Sequence, residues 1–413
     1  MSYDTKDITT KLSDEEILKL ADPSVQQRLG SFIREFNKRE WAVRISGKYD
    51  TFEEYVRNGY IHQDEFGTGF VVNGMPVPYF HPNRSFHDEI IWLNEHLYYE
   101  DDVTFDDKLI NSAVVKFYGP ARTLDIITGN ADDLDYLTKT GSKYINFELL
   151  QYPEYEDILM GNIEEAFKRG QRIWGTTELR TSLQTASRDY CRKNPSSIDK
   201  KEGISGIETR RMRPSDMIHW IRFLSESWVP FYHTKPTMQQ SFEFLTETRG
   251  IGNYYGYHFS SNLARMPGVG GKELIEAEYK EPFAKLGIEH GNLDENADYV
   301  MAGPGATITL KSLFSDIPIN SATMMRIILA IRNNQQEFFG IEGNDEAEMH
   351  LTEATELGRF TTFGTEIACC QFSVFNRAKD SLAMAMARAN APISKIPGKV
   401  SKQQEHVNNL LEW

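Results

Sequence analysis

Apolar residues recur at helical spacing along most of this chain. Met238, Phe242 and Leu245 mark one amphipathic segment, and Tyr255, Phe259 and Leu263 mark the next. Near the start, Ser13 is placed to cap a short helix reaching Leu20. Asp22-Pro23 then opens a longer one with Val25, Leu29, Phe32, Ile33 and Phe36 on one face. The same spacing predicts helices over 105–118, 120–128, 131–139, 144–150 and 157–168. Pro214-Ser215-Asp216 caps another that carries Met217, Trp220, Ile221 and Leu224. Further helices are expected from Thr307 to Phe314, Ser321 to Phe338, Glu346 to Gly358 and Phe363 to Ala389. The texture changes between Trp41 and Pro82, where Gly69 to Pro78 predicts a short β-hairpin turning at Asn73-Gly74. Asn194 to Gly206, rich in Ser, Lys and Gly, predicts an exposed linker. The expected fold class is mainly α, with a helical domain over 96–390. An N-terminal extension with a short β element covers 1–95, and a tail covers 391–413 with Pro392, Pro397 and Gly398.

Between the first two amphipathic segments lies Gly250-Ile251-Gly252-Asn253-Tyr254, which predicts a tight turn joining two helices. Two readings fit that turn. Glycines here can close one packed helix and release the chain into the next. They can also admit a phosphate to main-chain N–H groups at the positive start of the second helix, a helix-hairpin-helix grip on DNA that reads no bases. About forty residues on, Asp294-Glu295-Asn296-Ala297-Asp298 leads into Gly303-Pro304-Gly305, which opens the helix containing Lys311. That order sets ionisable groups beside backbone donors.

Two further segments carry a resemblance. Thr104-Phe105-Asp106-Asp107 runs through an apolar helix to Arg122-Thr123-Leu124-Asp125, and Glu366-Ile367-Ala368-Cys369-Cys370-Gln371-Phe372 continues to Phe375-Asn376-Arg377. Together with the turn and the Gly-Pro-Gly helix start, this set over roughly residues 95 to 385 resembles a bacteriophage family of thymine hypermodification. Its members are the α-glutamyl/putrescinyl-thymine pyrophosphorylases, or amino acid:DNA transferases, related to the helical domain of 5-hydroxymethyluracil DNA kinases. The sequence departs from the family's pattern at Gln371, where relatives tend to carry glutamate, and at Phe375, where they tend to carry tyrosine.

The resemblance implies a fold distantly like the helix-hairpin-helix DNA glycosylases. It also implies a reaction on double-stranded DNA whose 5-hydroxymethyluracil has been pyrophosphorylated by a partner kinase: pyrophosphate leaves and a small amine or amino acid adds. In that reading Asp298 takes the proton from the amine, with Asp294, Glu295 and His258 as alternatives. Arg122 steadies the departing pyrophosphate, or pairs structurally with Asp125 at i+3. Gly303, Gly305 and Lys311 hold phosphate. Gly250, Ile251, Gly252, Asn253, Tyr254, Arg210, Arg211 and Arg213 meet DNA. The open alternatives are a glycosylase or lyase acting on a modified base, and a non-catalytic DNA-binding subunit. No cofactor is expected, and the amine is not named by the sequence.

Composition narrows the field. The net charge of −15 argues against a general nucleic-acid coat. Any DNA contact must be local, because charges are screened beyond about 8 Å at physiological salt. Basic candidates are Lys168-Arg169 with Arg172, Arg188, Arg192-Lys193, Lys200-Lys201, Arg210 to Arg213, and Lys395, Lys399 and Lys402, each of which also fits a solvated face. Gly268-Val269-Gly270-Gly271-Lys272-Glu273 lacks the spacing and the hydroxyl of a phosphate-binding P-loop, so no ATP site is expected. His81, His87 and His96 with Asp88 and Glu89 fit no zinc pattern. Three cysteines, Cys191, Cys369 and Cys370, make no disulfide framework and read as ordinary thiols of a reducing cytoplasm. No apolar run reaches the roughly 18 residues of a membrane span, and Met1 to Lys11 does not read as a signal peptide.

Overall fold

A computed structural model describes residues 8, 10–40, 71–72, 75–76, 88–118, 121–171, 198–202, 208–212, 216–248, 251–271, 290–295, 297–343 and 360–389. The protein is mainly α-helical. Ser13 caps α1 (Asp14–Leu18) through a reciprocal box. Its hydroxyl accepts the Glu16 N–H at 3.2 Å, and the Glu16 carboxylate accepts the Ser13 N–H at 2.8 Å. Asp22 caps α2 (Pro23–Glu40) by accepting the Ser24 and Val25 N–H groups, and Leu29, Phe32 and Ile33 are buried along it. Next comes α3 (Asp88–Leu93), which widens into one π-turn at Asn94–Tyr98. It is followed by α4 (Phe105–Tyr118), α5 (Ala121–Thr128), α6 (Pro153–Lys168) and α7 (Asp216–His233). The central pair is α8 (Met238–Glu247) and α9 (Asn253–Leu263). The rest are α10 (Pro304–Leu313), α11 (Ser321–Asn333), α12 (Gln335–Phe339) and α13 (Thr362–Ala389).

Two antiparallel ribbons complete the elements. Val71–Val72 (β1) pairs with Met75–Pro76 (β2), within the hairpin expected from Gly69 to Pro78, while Asn73 and Gly74 lie outside the described residues. Ile198–Glu202 (β3) pairs with Glu208–Met212 (β4), with Lys200 opposite Arg210 and Asp199 opposite Arg211. The linker expected over 194–206 therefore holds a strand, held by its main-chain ladder to β4.

Three expected helices differ. Residues 131–139 and 144–150 form turns, with only Leu149–Gln151 as a 3₁₀ turn. Side-chain amides replace helical bonding there. Asn130 donates to Ser142 O at 2.6 Å, and Asn111 grips both the Ile145 carbonyl (2.8 Å) and its N–H (2.9 Å). Asn162 does the same for Thr138, at 2.8 Å each. The helix expected over 321–338 is interrupted at Asn334, and its second piece ends on Gly340 in the left-handed region, φ 63°. The helix expected from Glu346 to Gly358 lies outside the described residues.

The core is organised on α9, which is buried from Tyr255 to Leu263. Gly256 permits α8 to approach, since a β-carbon there would stand 3.0 Å from Thr246 Cγ2 and 3.6 Å from Leu245 Cβ. A run of hydroxyls, Tyr232 to Ser241 at 2.8 Å and Ser241 to Ser260 at 2.6 Å, ties α7, α8 and α9 together inside that core. The N-terminal helices join the same core. Phe32 stacks on Phe372 and Phe375 of α13 with ring centres 5.5 and 5.1 Å apart, Asp22 N–H reaches Leu313 O, and Asp14 pairs with Arg326 of α11. Helices α1 and α2 of the expected N-terminal extension thus pack on the C-terminal helices.

Candidate functional site at two helix starts

The turn between α8 and α9 is short and tightly bonded. Thr248 closes α8 in extended conformation, the Ile251 N–H returns to Thr248 O at 3.0 Å, and Ile251 is buried. Gly252 is the N-cap of α9 with φ −79° and ψ 170°, and no side chain caps the helix. Such an extended N-cap is open to any residue. A β-carbon at Gly252 would meet nothing within 4 Å. Gly252, Asn253 and Tyr254 are exposed, and the first intrahelical bond is Gly256 N–H to Gly252 O. Gly250 and Arg213 lie outside the described residues, while Arg210 and Arg211 lie on β4.

The second helix start is also glycine-capped. Gly303 precedes Pro304 at the first position of α10, with φ −71° and ψ 173° and no side-chain cap. Its N–H donates to Glu366 Oε1 at 2.8 Å. Gly305 is buried against α13, so its bare α-carbon faces Cys370 and not open space. Thr309 Oγ1, one turn on, donates to Cys369 O at 2.7 Å and fixes the same helix crossing. Lys311 is exposed in the last turn of α10, about 12 Å along the axis from Gly303 at 1.5 Å per residue.

Aromatic rings connect the two starts. Exposed Tyr254 stacks on His258 with ring centres 4.0 Å apart, and buried His258 meets Phe363 of α13 edge-on at 5.1 Å. Phe363 also meets Tyr257 at 4.9 Å. The Tyr257 hydroxyl donates to Tyr299 O, and burial holds that phenol well above its ordinary range. Glu366, three residues after Phe363, is 1% exposed. Burial pushes its carboxyl up to about 7, with the Gly303 N–H opposing. Its Oε2 is buried with no hydrogen-bond partner. Burial, with Glu366 nearby, raises the Cys369 thiol, so it stays protonated and unreactive.

The acidic cluster before Gly303 divides by environment. Glu295 is buried and paired with Arg265, accepts the Ser261 hydroxyl, and accepts Thr361 Oγ1 at 3.3 Å. Asp298 is 80% exposed and pairs with Arg332 at 3.2 Å, and Arg332 also donates to Thr362 at the start of α13. Asp298 is therefore exposed and linked through Arg332 to the start of α13. Arg122 and Asp125 lie on α5, which packs against α4 and α6. Of the expected acidic pair on α4, Asp106 meets His233 at 2.9 Å and Asp107 accepts the Phe147 N–H at 2.6 Å. Arg169 is tied to Glu165 and lies over the Tyr136 ring.

The sequence reading gives Glu366 no role. Its signal was available: between Arg359 and Arg377 it is the sole charged side chain in an otherwise apolar and uncharged run. Among the described residues there is no cluster that could hold a metal ion, and no helix is long and apolar enough to cross a membrane. The fold and site together define a mainly helical protein with two uncapped helix starts converging on a buried carboxyl. Comparison with protein-family models, with curated proteins and with solved structures finds no match.

Proposed function

We propose that this chain is a DNA base-hypermodifying transferase, which displaces pyrophosphate from pyrophosphorylated 5-hydroxymethyluracil in DNA and attaches an amine or amino acid. The observation that carries the reading is the convergence of two glycine-capped helix starts, at Gly252 and Gly303, beside Glu366 and the Tyr254–His258 stack. Helix starts without side-chain caps offer main-chain N–H groups and a partial positive charge to phosphate oxygens. In this reading the α8–α9 turn acts as a helix-hairpin-helix grip on the DNA backbone. The β3–β4 ribbon carries Lys200, Lys201, Arg210 and Arg211 against Asp199, Glu202 and Glu208, a small net positive charge in an acidic chain.

The chemistry asks for an anion site for the leaving pyrophosphate and a proton acceptor for the amine. In this reading the acceptor is Glu366, whose buried carboxyl is pushed up to about 7, in place of the exposed, ion-paired Asp298. The bond of Asp298 to Arg332 steadies the start of α13.

The test supplies purified protein with 5-hydroxymethyluracil DNA, a cognate 5-hydroxymethyluracil DNA kinase, ATP and candidate amines, followed by nucleoside mass spectrometry. An amine adduct that requires both kinase and amine is expected. Free modified base or an abasic site identifies a glycosylase instead, and DNA affinity without any product identifies a binding subunit.

A further inference from the structure

We propose that the unpartnered carboxyl oxygen of Glu366 is the point at which the nucleophile's primary ammonium group binds and leaves its proton. The inference deepens the transferase reading and rests on it for the reaction, though not for the binding. Glu366 is buried, its Oε1 is fixed by the Gly303 N–H at 2.8 Å, and its Oε2 has no partner. Tyr257 and Cys369 both feel its charge, and neither supplies a positive one. A buried carboxyl oxygen left open in this way suits a cationic donor.

The surroundings fit an ammonium. A β-carbon on Gly303 would lie 3.2 Å from Glu366 Oε1 and 3.8 Å from Tyr254 Cδ2, so the carboxyl and the exposed Tyr254 ring flank one bare α-carbon. The rings of Tyr254, His258 and Phe363 stand in series beside it, and aromatic faces attract alkylammonium groups. An ammonium has three N–H donors for Oε2 and nearby carbonyls. In the step itself, the proton passes to Oε2 and the freed nitrogen lone pair forms the C–N bond to the exocyclic methylene carbon. The C–O bond breaks with its electron pair leaving on pyrophosphate, and Glu366 later returns the proton to solvent.

Saturation-transfer NMR with n-butylamine, and 1-butanol as the uncharged match, tests the site on the full chain. Wild type is expected to bind butylammonium at least tenfold better than butanol, and Glu366→Gln, which keeps the Gly303 bond, to lose that preference. Gly303→Ala retains the carboxyl but crowds Oε1, and is expected to weaken amine binding severalfold; thermal melts verify both folds. Equal amine binding by wild type and Glu366→Gln, or no preference in wild type, overturns the proposal. In the DNA assay, Glu366→Gln is expected to lose at least 100-fold in adduct rate, and the rise in rate through pH 7, with DNA affinity unchanged. Wild type that binds the amine through Glu366 yet forms no adduct overturns the transferase reading alone. Wild type that forms adduct while Glu366→Gln matches it overturns the inference alone.

Discussion

Gly305 lies with its α-carbon against Cys370, so that a β-carbon there would stand 2.6 Å from the thiol sulfur and 3.2 Å from the Cys370 Cα and carbonyl oxygen. Helices α10 and α13 can cross at this depth only because 305 has no side chain. Gly305→Ala is expected to lower stability by about 1–3 kcal/mol through overpacking. Cys370→Ala removes the sulfur but not the backbone contact, so in that background the loss should shrink without vanishing. Urea denaturation of wild type, the two single variants and the double variant measures this.

Gly252 presents the opposite case. Its backbone is extended and its missing side chain faces open space, so Gly252→Ser should leave stability unchanged or raise it by a few tenths of a kcal/mol as an N-cap. If the start of α9 meets DNA phosphates, the new hydroxyl competes for the same N–H groups. DNA affinity should then fall several-fold at fixed salt, read by fluorescence anisotropy. Unchanged affinity would make the turn a purely structural connection.

Glu366 ties stability to pH. Its folded carboxyl sits at about 7 against an unfolded value of 4.5, so the folded state holds the proton more tightly between those values. The stability it permits is complete below about 4.5 and is lost as pH rises through 7, a change of roughly 3 kcal/mol. Glu366→Gln should therefore be more stable than wild type at pH 8, and the gap should close by pH 5. A constant gap across that range, in denaturant titrations at both pH values, would contradict the assignment.

The Arg265–Glu295 pair is fully buried. Glu295→Ala removes the buried carboxylate facing the Arg265 guanidinium and should cost about 3–5 kcal/mol, whereas Arg265→Met with Glu295→Leu should recover much of that loss. Thermal melts of the single and double variants decide it.

Periodicity made the helices around the site legible. The spacings Met238-Phe242-Leu245 and Tyr255-Phe259-Leu263 give α8 and α9, and all six residues are buried. Asn73-Gly74 likewise gives its ribbon. Segments ordered by remote amide side chains were not legible, since nothing local to 131–150 announces that Asn111 and Asn162 will satisfy its backbone. The same limit hid the site's buried acid. Asp298, close to the Gly-Pro-Gly turn in sequence, is exposed, while the carboxyl that touches Gly303 comes from 63 residues further along. Gly305 showed as a turn glycine, and its role in helix contact needed α13 in place.

The closure of the N-terminal helices onto the C-terminal ones sets a schedule for synthesis. Gln26 donates to Phe338 O across 312 residues, and Phe32 waits still longer for Phe372 and Phe375. At about 5–20 residues per second, α2 leaves the ribosome roughly 15–60 s before the surface that covers it exists. During that interval Leu29, Phe32 and Ile33 form an uncovered apolar stripe, which a holding chaperone can occupy and a truncated message would leave bare permanently.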